Sequence, residues 1–282
     1  MNSPIRYYGG KGGMYKQILD AFPSDFGADV STANDGSADI YIEPFGGSAT
    51  ILFHKKPSPI EIYNDLYHNV YALFWTLSQK PLFKEFRSKC DLIYYSRKIF
   101  DDYVYKLKNC NLKIQDRAFM FFYVNRVAYN GVGSFSCIVN AVRRSMSKPV
   151  SDMLSTVERL PEIHQRLKSV IIENTDALEL IPKYDKPSTF FYLDPPYHHS
   201  TRSGARYMVD LDDEKQNKLV DILLGLKDAK VLLSGYRCSL YDRLVENGWN
   251  RIDFEVKTQS GKRKSKDKTE SLWRNYEKGV NS

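Results

Sequence analysis

Six short apolar or aromatic runs, at 39–42, 60–63, 170–172, 189–193, 230–233 and 252–256, recur between stretches of helical spacing. Strands that alternate with helices in this way build a largely parallel α/β sheet. Leu66, Val70, Leu73, Phe74 and Leu77 fall on one helical face, as do Val157, Leu160, Ile163, Leu167 and Val170. The segment 212–226 predicts a helix with an acidic start, and the helix predicted over 239–247 ends at Gly248, a good C-terminal stop. A further short helix is expected over 14–22. Between about Trp75 and Leu160 the alternation lapses, and Tyr, Phe, Lys and Arg dominate. This stretch reads as an inserted, mostly helical subdomain, with an aromatic-rich helix at 118–127, a turn at 129–133 and a basic, serine-rich segment to Lys148. The expected organisation is a catalytic domain from 1–74 and 161–282, interrupted by a target-reading insertion at 75–160.

With 282 residues, 42% of them hydrophobic and 27% charged, the chain can bury a sizeable core. No apolar run approaches the ~18 residues that would span a bilayer, and the first thirteen residues lack the apolar segment of a secretory signal. A cytosolic protein is expected. Cys90, Cys110, Cys137 and Cys238 stand far apart, without metal-ligand or redox spacing, and read as reduced structural thiols. The net charge of +7 suggests a polyanionic partner, and its distribution sharpens that. The segment 257–268 carries six basic residues against Asp267 alone, whereas 24–39 carries four aspartates and no basic residue. Lys262, Arg263 and Lys264 suit a clamp on phosphates, with a merely solvated loop as the plain alternative.

The strand 189–193 opens directly into Asp194, Pro195, Pro196 and Tyr197. Consecutive prolines cannot continue a sheet ladder, so the strand must stop there. In an open parallel sheet the carboxyl ends of strands form the ligand crevice, which places Asp194 and the Pro195 carbonyl where chemistry happens. Two adjacent acceptors, one anionic, can grip an amino group, and Tyr197 offers a planar face for a heterocycle. A second constellation, Glu43, Pro44, Phe45, Gly46, Gly47 and Ser48, runs from a strand into a glycine turn and a helix. It has neither the spacing of a dinucleotide fingerprint nor a P-loop lysine. Adjacent glycines nonetheless let backbone approach a ligand, and Asp65, at the end of the next strand, is placed to accept from ribose hydroxyls. Tyr7, Tyr8, Gly9 and Lys11 precede the first helix and suit a small charged ligand.

These blocks, in this order, resemble the Dam-like D12-class DNA adenine methyltransferases of the α-group, phage-borne members among them. The resemblance extends to Asn125, Arg126, Tyr129, Asn130 and Gly131, to Glu173, Asn174, Thr175 and Asp176, to Ser234, Gly235 and Tyr236, and to the terminal segment 270–275, so that it covers 5–276. It implies a Rossmann-like sheet that binds S-adenosylmethionine through the first two blocks and Asp176, and releases S-adenosylhomocysteine. It implies a catalytic role for Asp194, Pro195, Pro196 and Tyr197, and DNA contact near Asn125, Arg126 and Asn130. Ala49 departs from the glycine found in many members, but a small residue still leaves room.

The expected function is therefore transfer of a methyl group to the N6 amino nitrogen of a flipped-out adenine in double-stranded DNA, with GATC a target to test. The segment 132–148 does not closely follow the family's hairpin, however, and Arg143 and Arg144, expected just past it, suit either guanine edges or phosphates. Tyr197 is the expected stacking platform for the base, with 198–207 as a lid. His198 and His199 as a metal pair are the alternative reading of that loop, but with no third ligand nearby no metal is expected. Methylation of RNA or of a cytosine amino group, and a non-catalytic DNA-binding relative, stand as alternatives, with a monomer as the default state.

Overall fold

The computed structural model describes residues 1–7, 9–24, 26, 39–131, 133–138, 140–201, 208–256 and 268–277. In chain order its first elements are α1 (Tyr15–Asp20), β1 (Ile40–Glu43), α2 (Thr50–His54), β2 (Ile60–Asn64), α3 (His68–Ser78), α4 (Lys80–Leu92), α5 (Arg97–Asn109) and α6 (Ile114–Val127). A hairpin follows, β3 (Val142–Arg143) and β4 (Met146–Ser147), then α7 (Lys148–Glu158), α8 (Leu160–Leu167) and β5 (Val170–Glu173). The remainder is α9 (Ala177–Lys183), β6 (Thr189–Leu193), α10 (Asp213–Gly225), β7 (Lys230–Tyr236), α11 (Ser239–Glu246), β8 (Asn250–Val256) and β9 (Lys268–Arg274). The chain forms two compact units, the first from Met1–Gly13, Gly47–His54 and Tyr67–Asn174, the second from Met14–Gly46, Lys55–Leu66 and Thr175–Ser282.

The second unit is the sheet unit, its strands in the order β2-β1-β6-β7-β9-β8. β1 pairs in parallel with β2 and β6, and β6 in parallel with β7. Every residue of β6 is buried, as expected of a strand covered on both faces. On one face Ile42, Ile62, Phe191, Leu193, Val231 and Leu233 pack with Leu219 and Leu223 of α10, Leu244 of α11 and Ile181 of α9. On the other, Phe22 and Phe26 pack against Tyr41 and Phe190, Phe22 meeting Phe190 edge-on with centroids 4.6 Å apart. α10 begins where predicted because the Asp212 carboxylate accepts from the Lys215 N–H at 2.9 Å, and Asp213 and Glu214 complement the dipole of the first turn. α11 stops ahead of Gly248, whose φ of +88° suits a residue without a Cβ.

Two departures from the sequence reading have simple causes. The apolar row from Val157 to Val170 is not one helix: Pro161, lacking an N–H, starts α8 after a break at Arg159, and Val170 opens β5. β9 escapes a reading by local pattern, because Glu270, Ser271 and Arg274 leave only Leu272 and Trp273 as an apolar signal. It pairs antiparallel with β7 and β8 and lies between them, with Ser234 opposite Leu272 and Tyr236 opposite Glu270.

The first unit is mostly helical. Phe86 meets Phe122 edge-on at 5.4 Å, and Phe100, Tyr123, Val127, Ala128 and Met153 form a further apolar cluster. The buried Tyr123 hydroxyl donates to the carbonyls of Tyr94 and Ser96 and accepts from the Ser96 N–H, so a polar tip sits inside an apolar cluster at little cost.

Candidate active site

In the second unit β1 has β2 on one side and β6 on the other, so the chain reverses its winding between β1 and β6. That switch point opens a crevice at the carboxyl ends of the two strands. β1 delivers Glu43 and Pro44 there, and β6 delivers Asp194 and Pro195.

Asp194 is held from the neighbouring strand. Leu193 pairs in register with Leu233, which brings Ser234 beside Asp194, and the Ser234 hydroxyl donates to Asp194 Oδ1 at 3.0 Å. Tyr192 OH lies 3.3 Å from Ser234 Oγ. Since the serine proton is directed to the carboxylate, the tyrosine is the donor in that contact. Burial, with the Asp194 charge second, raises the pKa of Tyr192 well above the usual phenol value, which keeps that donor proton in place. The prolines are fixed from the other side: Gln216 Nε2 on α10 donates to the Pro196 carbonyl at 2.6 Å, and Tyr241 OH donates to Gln216 Oε1 at 3.2 Å. Asp194 thus sits on a backbone gripped from β7 and from α10.

Tyr197 differs from the open platform expected from sequence. It is 6% exposed, its ring meets Tyr236 edge-on at 4.6 Å, and its hydroxyl donates to Glu270 on β9. Burial, then the charges of Asp194 and Glu270, raise its pKa well above the phenol range, so it remains a donor. The reason is β9, which places a buried carboxylate opposite Tyr236 and captures the Tyr197 hydroxyl.

The residues expected to hold the methyl donor gather partly at the same strand ends. Glu43 is buried and accepts from Tyr41 OH at 2.7 Å. Burial and the Glu43 charge raise the pKa of Tyr41 well above its usual value. Asn64, also buried, ties the ends of the segments together: its amide donates to the carbonyls of Pro44 and Thr175 at 2.8 and 2.9 Å and its Oδ1 accepts from the Thr175 N–H at 2.8 Å. The next residue, Asp65, is buried, and Phe45 is partly exposed. Asp176 caps α9, accepting from the Leu178 N–H at 2.9 Å. Gly46 serves a neighbour rather than an open space, because a Cβ there would overlap the Tyr63 ring.

In the first unit Gly47 has a φ of +50°, and a Cβ on it would lie 3.2 Å from the Tyr7 ring. Ser48 Oγ lies 2.7 Å from Thr50 Oγ1. Gly9 has a φ of +76°, Gly10 N donates to the Tyr7 carbonyl at 3.1 Å, and the buried Lys11 donates to the Gly9 carbonyl at 3.3 Å. Two blocks remote in sequence, at Tyr7 and Gly47, therefore meet. Ala49 has a φ of +54°, a left-handed conformation that favours glycine, so the residue that departs from the expected glycine sits in strained backbone.

The expected DNA-contacting residues separate into two groups. Asn125 is buried and fully engaged with backbone: it accepts from the Arg6 N–H at 2.8 Å and donates to the carbonyls of Arg6 and Gly131 at 2.7 and 3.2 Å. Arg126 is buried and donates to the Asp152 carbonyl at 3.2 Å; burial, then the nearby Arg6 charge, lowers its pKa to about 10. Both are framework, not surface. Asn130 is exposed with a φ of +53°, a conformation asparagine tolerates. Arg143 and Arg144 lie within the β3–β4 hairpin, not past it. Arg144 and Ser145 form its two-residue turn, with φ of +56° and +59°, the backbone of a tight hairpin. Arg143 pairs with Asp152 at 3.0 Å, which also meets Lys148 at 2.6 Å and Arg6 at 3.4 Å. Burial opposes charge on Asp152, yet these cations, Lys148 first, hold its pKa below the usual value. Arg144 is bidentate to Glu158, at 3.1 and 2.8 Å. Tyr8, Lys262, Arg263 and Lys264, and 202–207 of the expected lid, lie outside the described residues.

Sequence reasoning assigned no role to Ser234 or Glu270, although both fell in blocks that resemble the family. Gln216 and Asn64 gave no signal at all, since each acts through partners distant in sequence.

A parallel sheet with an antiparallel edge, an acid at the end of β1 and an Asp-Pro-Pro-Tyr turn at the end of β6 define an α/β methyltransferase. Comparison with known proteins is in agreement. The profile of the D12 class N6 adenine-specific DNA methyltransferases matches residues 7–264. The chain is also 27% identical over 276 residues to the type II methyltransferase M.MjaIII of Methanocaldococcus jannaschii, covering 87% of this chain and 88% of the relative. The protein belongs to the D12 class of N6 adenine-specific DNA methyltransferases, and its activity is methylation of adenine in DNA.

Proposed function

We propose that Asp194 and the Pro195 carbonyl accept the two amino hydrogens of an adenine turned out of double-stranded DNA, with S-adenosylmethionine as methyl donor. The observation that carries this reading is the Asp194 carboxylate at the end of β6, oriented by the Ser234 hydroxyl at 3.0 Å. The adenine amino nitrogen is a poor nucleophile because its lone pair is delocalised into the ring. Acceptors on both amino hydrogens favour a tetrahedral nitrogen with a localised pair, and the carboxylate stabilises positive charge as it develops there. The held backbone contributes positioning, since Gln216 and Ser234 fix the acceptors before the base arrives. Bound S-adenosylmethionine supplies an electrophilic methyl group on sulfur and leaves as S-adenosylhomocysteine.

The donor set fits such a cofactor. Glu43 and Asp65 are buried acids at the carboxyl ends of neighbouring strands, where ribose hydroxyls and a charged donor are recognised. Phe45 and Asp176 border the same strand ends. An adenine inside a duplex cannot reach Asp194, so the base leaves the stack, at a cost of a few kcal/mol. On the DNA side, Arg143 and Arg144 of the hairpin, Asn130, and the basic segment with Lys262, Arg263 and Lys264 supply the contacts. The order of the blocks, with the donor-binding ones ahead of the Asp-Pro-Pro-Tyr block, supports a Dam-like, α-group member, and the resemblance to phage-borne members supports such an origin.

The test is transfer of labelled methyl from S-adenosylmethionine to unmethylated duplex DNA, with sequencing that reads methyladenine, for the wild type and Asp194→Ala. Label at adenines in one short motif, lost in the variant while methyl-donor binding persists, is expected. Turnover near the wild-type rate in Asp194→Ala would remove the assignment.

A further inference from the structure

Tyr197 is followed by His198 and His199, and the fold adds a donor that the sequence does not place beside them. His198 Nε2 lies 3.2 Å from Asp213 Oδ1, and His199 Nδ1 lies 2.8 Å from the same atom. One donor atom from each of the three residues falls within 4.8 Å of the others. We propose that His198, His199 and Asp213 form a binding site for a divalent transition-metal ion of the zinc class, one ion per chain.

The chemistry of the donors selects the ion: two imidazole nitrogens and one carboxylate suit zinc, cobalt or nickel and disfavour calcium or magnesium, which take oxygen. The spacing is right as well. Tetrahedral ligands at bonds of ~2.0–2.1 Å stand about 3.3 Å apart; the two histidine–aspartate separations lie near that value, and all three donor atoms fall within 4.8 Å, a spread that a rotation of the exposed His199 ring can close. His198 Nδ1 lies 2.8 Å from Ser200 Oγ and accepts from the Ser200 N–H at 3.4 Å. An ion on Nε2 places the ring proton on Nδ1, which then donates to Ser200 Oγ, as ligating histidines donate their other nitrogen. Asp213 opens α10 beside Asp212 and Glu214, and the three carboxylates offset the positive end of that helix, which would otherwise repel a cation. Three protein donors leave a fourth position for water.

The site has a consequence for the catalytic block. Gln216 of α10 already holds the Pro196 carbonyl at 2.6 Å, and an ion bound by His198, His199 and Asp213 would join the same two segments a second time. Metal occupancy therefore restrains the chain immediately after Tyr197, independently of the part assigned to Asp194.

The experiment is titration of the full chain with Co²⁺, followed by its visible absorption, and with Zn²⁺ against a chromophoric chelator. The proteins are the wild type, His199→Ala, Asp213→Asn and the double variant Cys110→Ser with Cys137→Ser, which removes the exposed free thiols. His199 and Asp213 are both exposed, so these variants keep the fold. The expected result is one ion per chain, with affinity lowered at least about tenfold in His199→Ala and in Asp213→Asn and unchanged in the cysteine variant. No cobalt spectrum and no zinc uptake with metal in excess would overturn the proposal. So would equal affinity in wild type, His199→Ala and Asp213→Asn, or loss of binding in the cysteine variant.

Discussion

The Ser234 hydroxyl donates to Asp194 Oδ1 at 3.0 Å across neighbouring parallel strands, because Leu193 and Leu233 pair in register and the next residues follow side by side. The acceptor assigned to the adenine amino group is thus aimed by a residue on a strand forty positions away. Removal of the hydroxyl in Ser234→Ala leaves the carboxylate in place but less constrained. A hydrogen bond to a charged group is worth about 1.5–3 kcal/mol, so the turnover number should fall roughly ten- to a hundredfold. Binding of S-adenosylmethionine should be unchanged, as should the unfolding temperature within a few degrees. Steady-state methyl transfer and calorimetry on the same preparation check this, and full activity in Ser234→Ala would assign the orientation of Asp194 to its other neighbours.

Local pattern made the sheet strands legible and left their lateral order hidden. The strand at 189–193 and its Asp-Pro-Pro-Tyr end announce themselves, since apolar residues run without a break into prolines. β9 is different. Its polar residues face partners on β7 and β8 that no local window contains, and only the paired strands show why Glu270 is buried. The same limit explains Tyr197. A tyrosine beside two prolines suggests an exposed ring, and only the approach of β9 shows that its hydroxyl is taken by Glu270. Asn125 misleads in the opposite sense: the family block around it points to DNA, while its side chain holds the backbone of Arg6.

That clamp gives a second prediction. Asn125→Ala removes three hydrogen bonds to main-chain groups and leaves buried donors and acceptors without partners. Each such bond contributes about 0.5–1.5 kcal/mol net, so a destabilisation of roughly 2–4 kcal/mol is expected. Denaturant unfolding measures it. If instead stability is kept and discrimination between target and non-target duplexes disappears, Asn125 reads bases and the clamp on Arg6 is not its role.

The buried phenols Tyr41, Tyr192 and Tyr197 predict a response to alkali. Burial is the largest cause of the raised pKa in all three, and nearby carboxylates add to it. For a group whose folded pKa is raised, the stabilisation is fully present below the unfolded value, about 10 for tyrosine, and is lost as pH rises through the folded value. Stability should therefore be flat with respect to these groups at neutral pH and fall above pH ~10, by at most about 1.4 kcal/mol per pH unit for each phenol. Urea midpoints measured from neutral to alkaline pH, with ultraviolet absorbance of phenolate as a second signal, check it. Ionisation of all tyrosines at the ordinary value, with no loss of fold, would contradict the burial of their hydroxyls.

The basic segment gives a prediction founded on charge alone, because Lys262, Arg263 and Lys264 lie outside the described residues. A cation on a phosphate strengthens binding to every duplex and does so through release of counterions, whereas a base reader strengthens binding to one sequence. Changing all three to alanine should weaken binding to target and non-target DNA alike. The slope of log affinity against log salt should become shallower by about 0.9 for each phosphate that is no longer neutralised, hence by up to about 2.7. Binding isotherms on one target and one scrambled duplex at several salt concentrations separate the two cases. Weakening confined to the target, with the salt slope intact, would make these residues base readers and move the phosphate grip to Arg143 and Arg144. Those two are already neutralised by Asp152 and Glu158 and would have to exchange carboxylates for phosphates on binding.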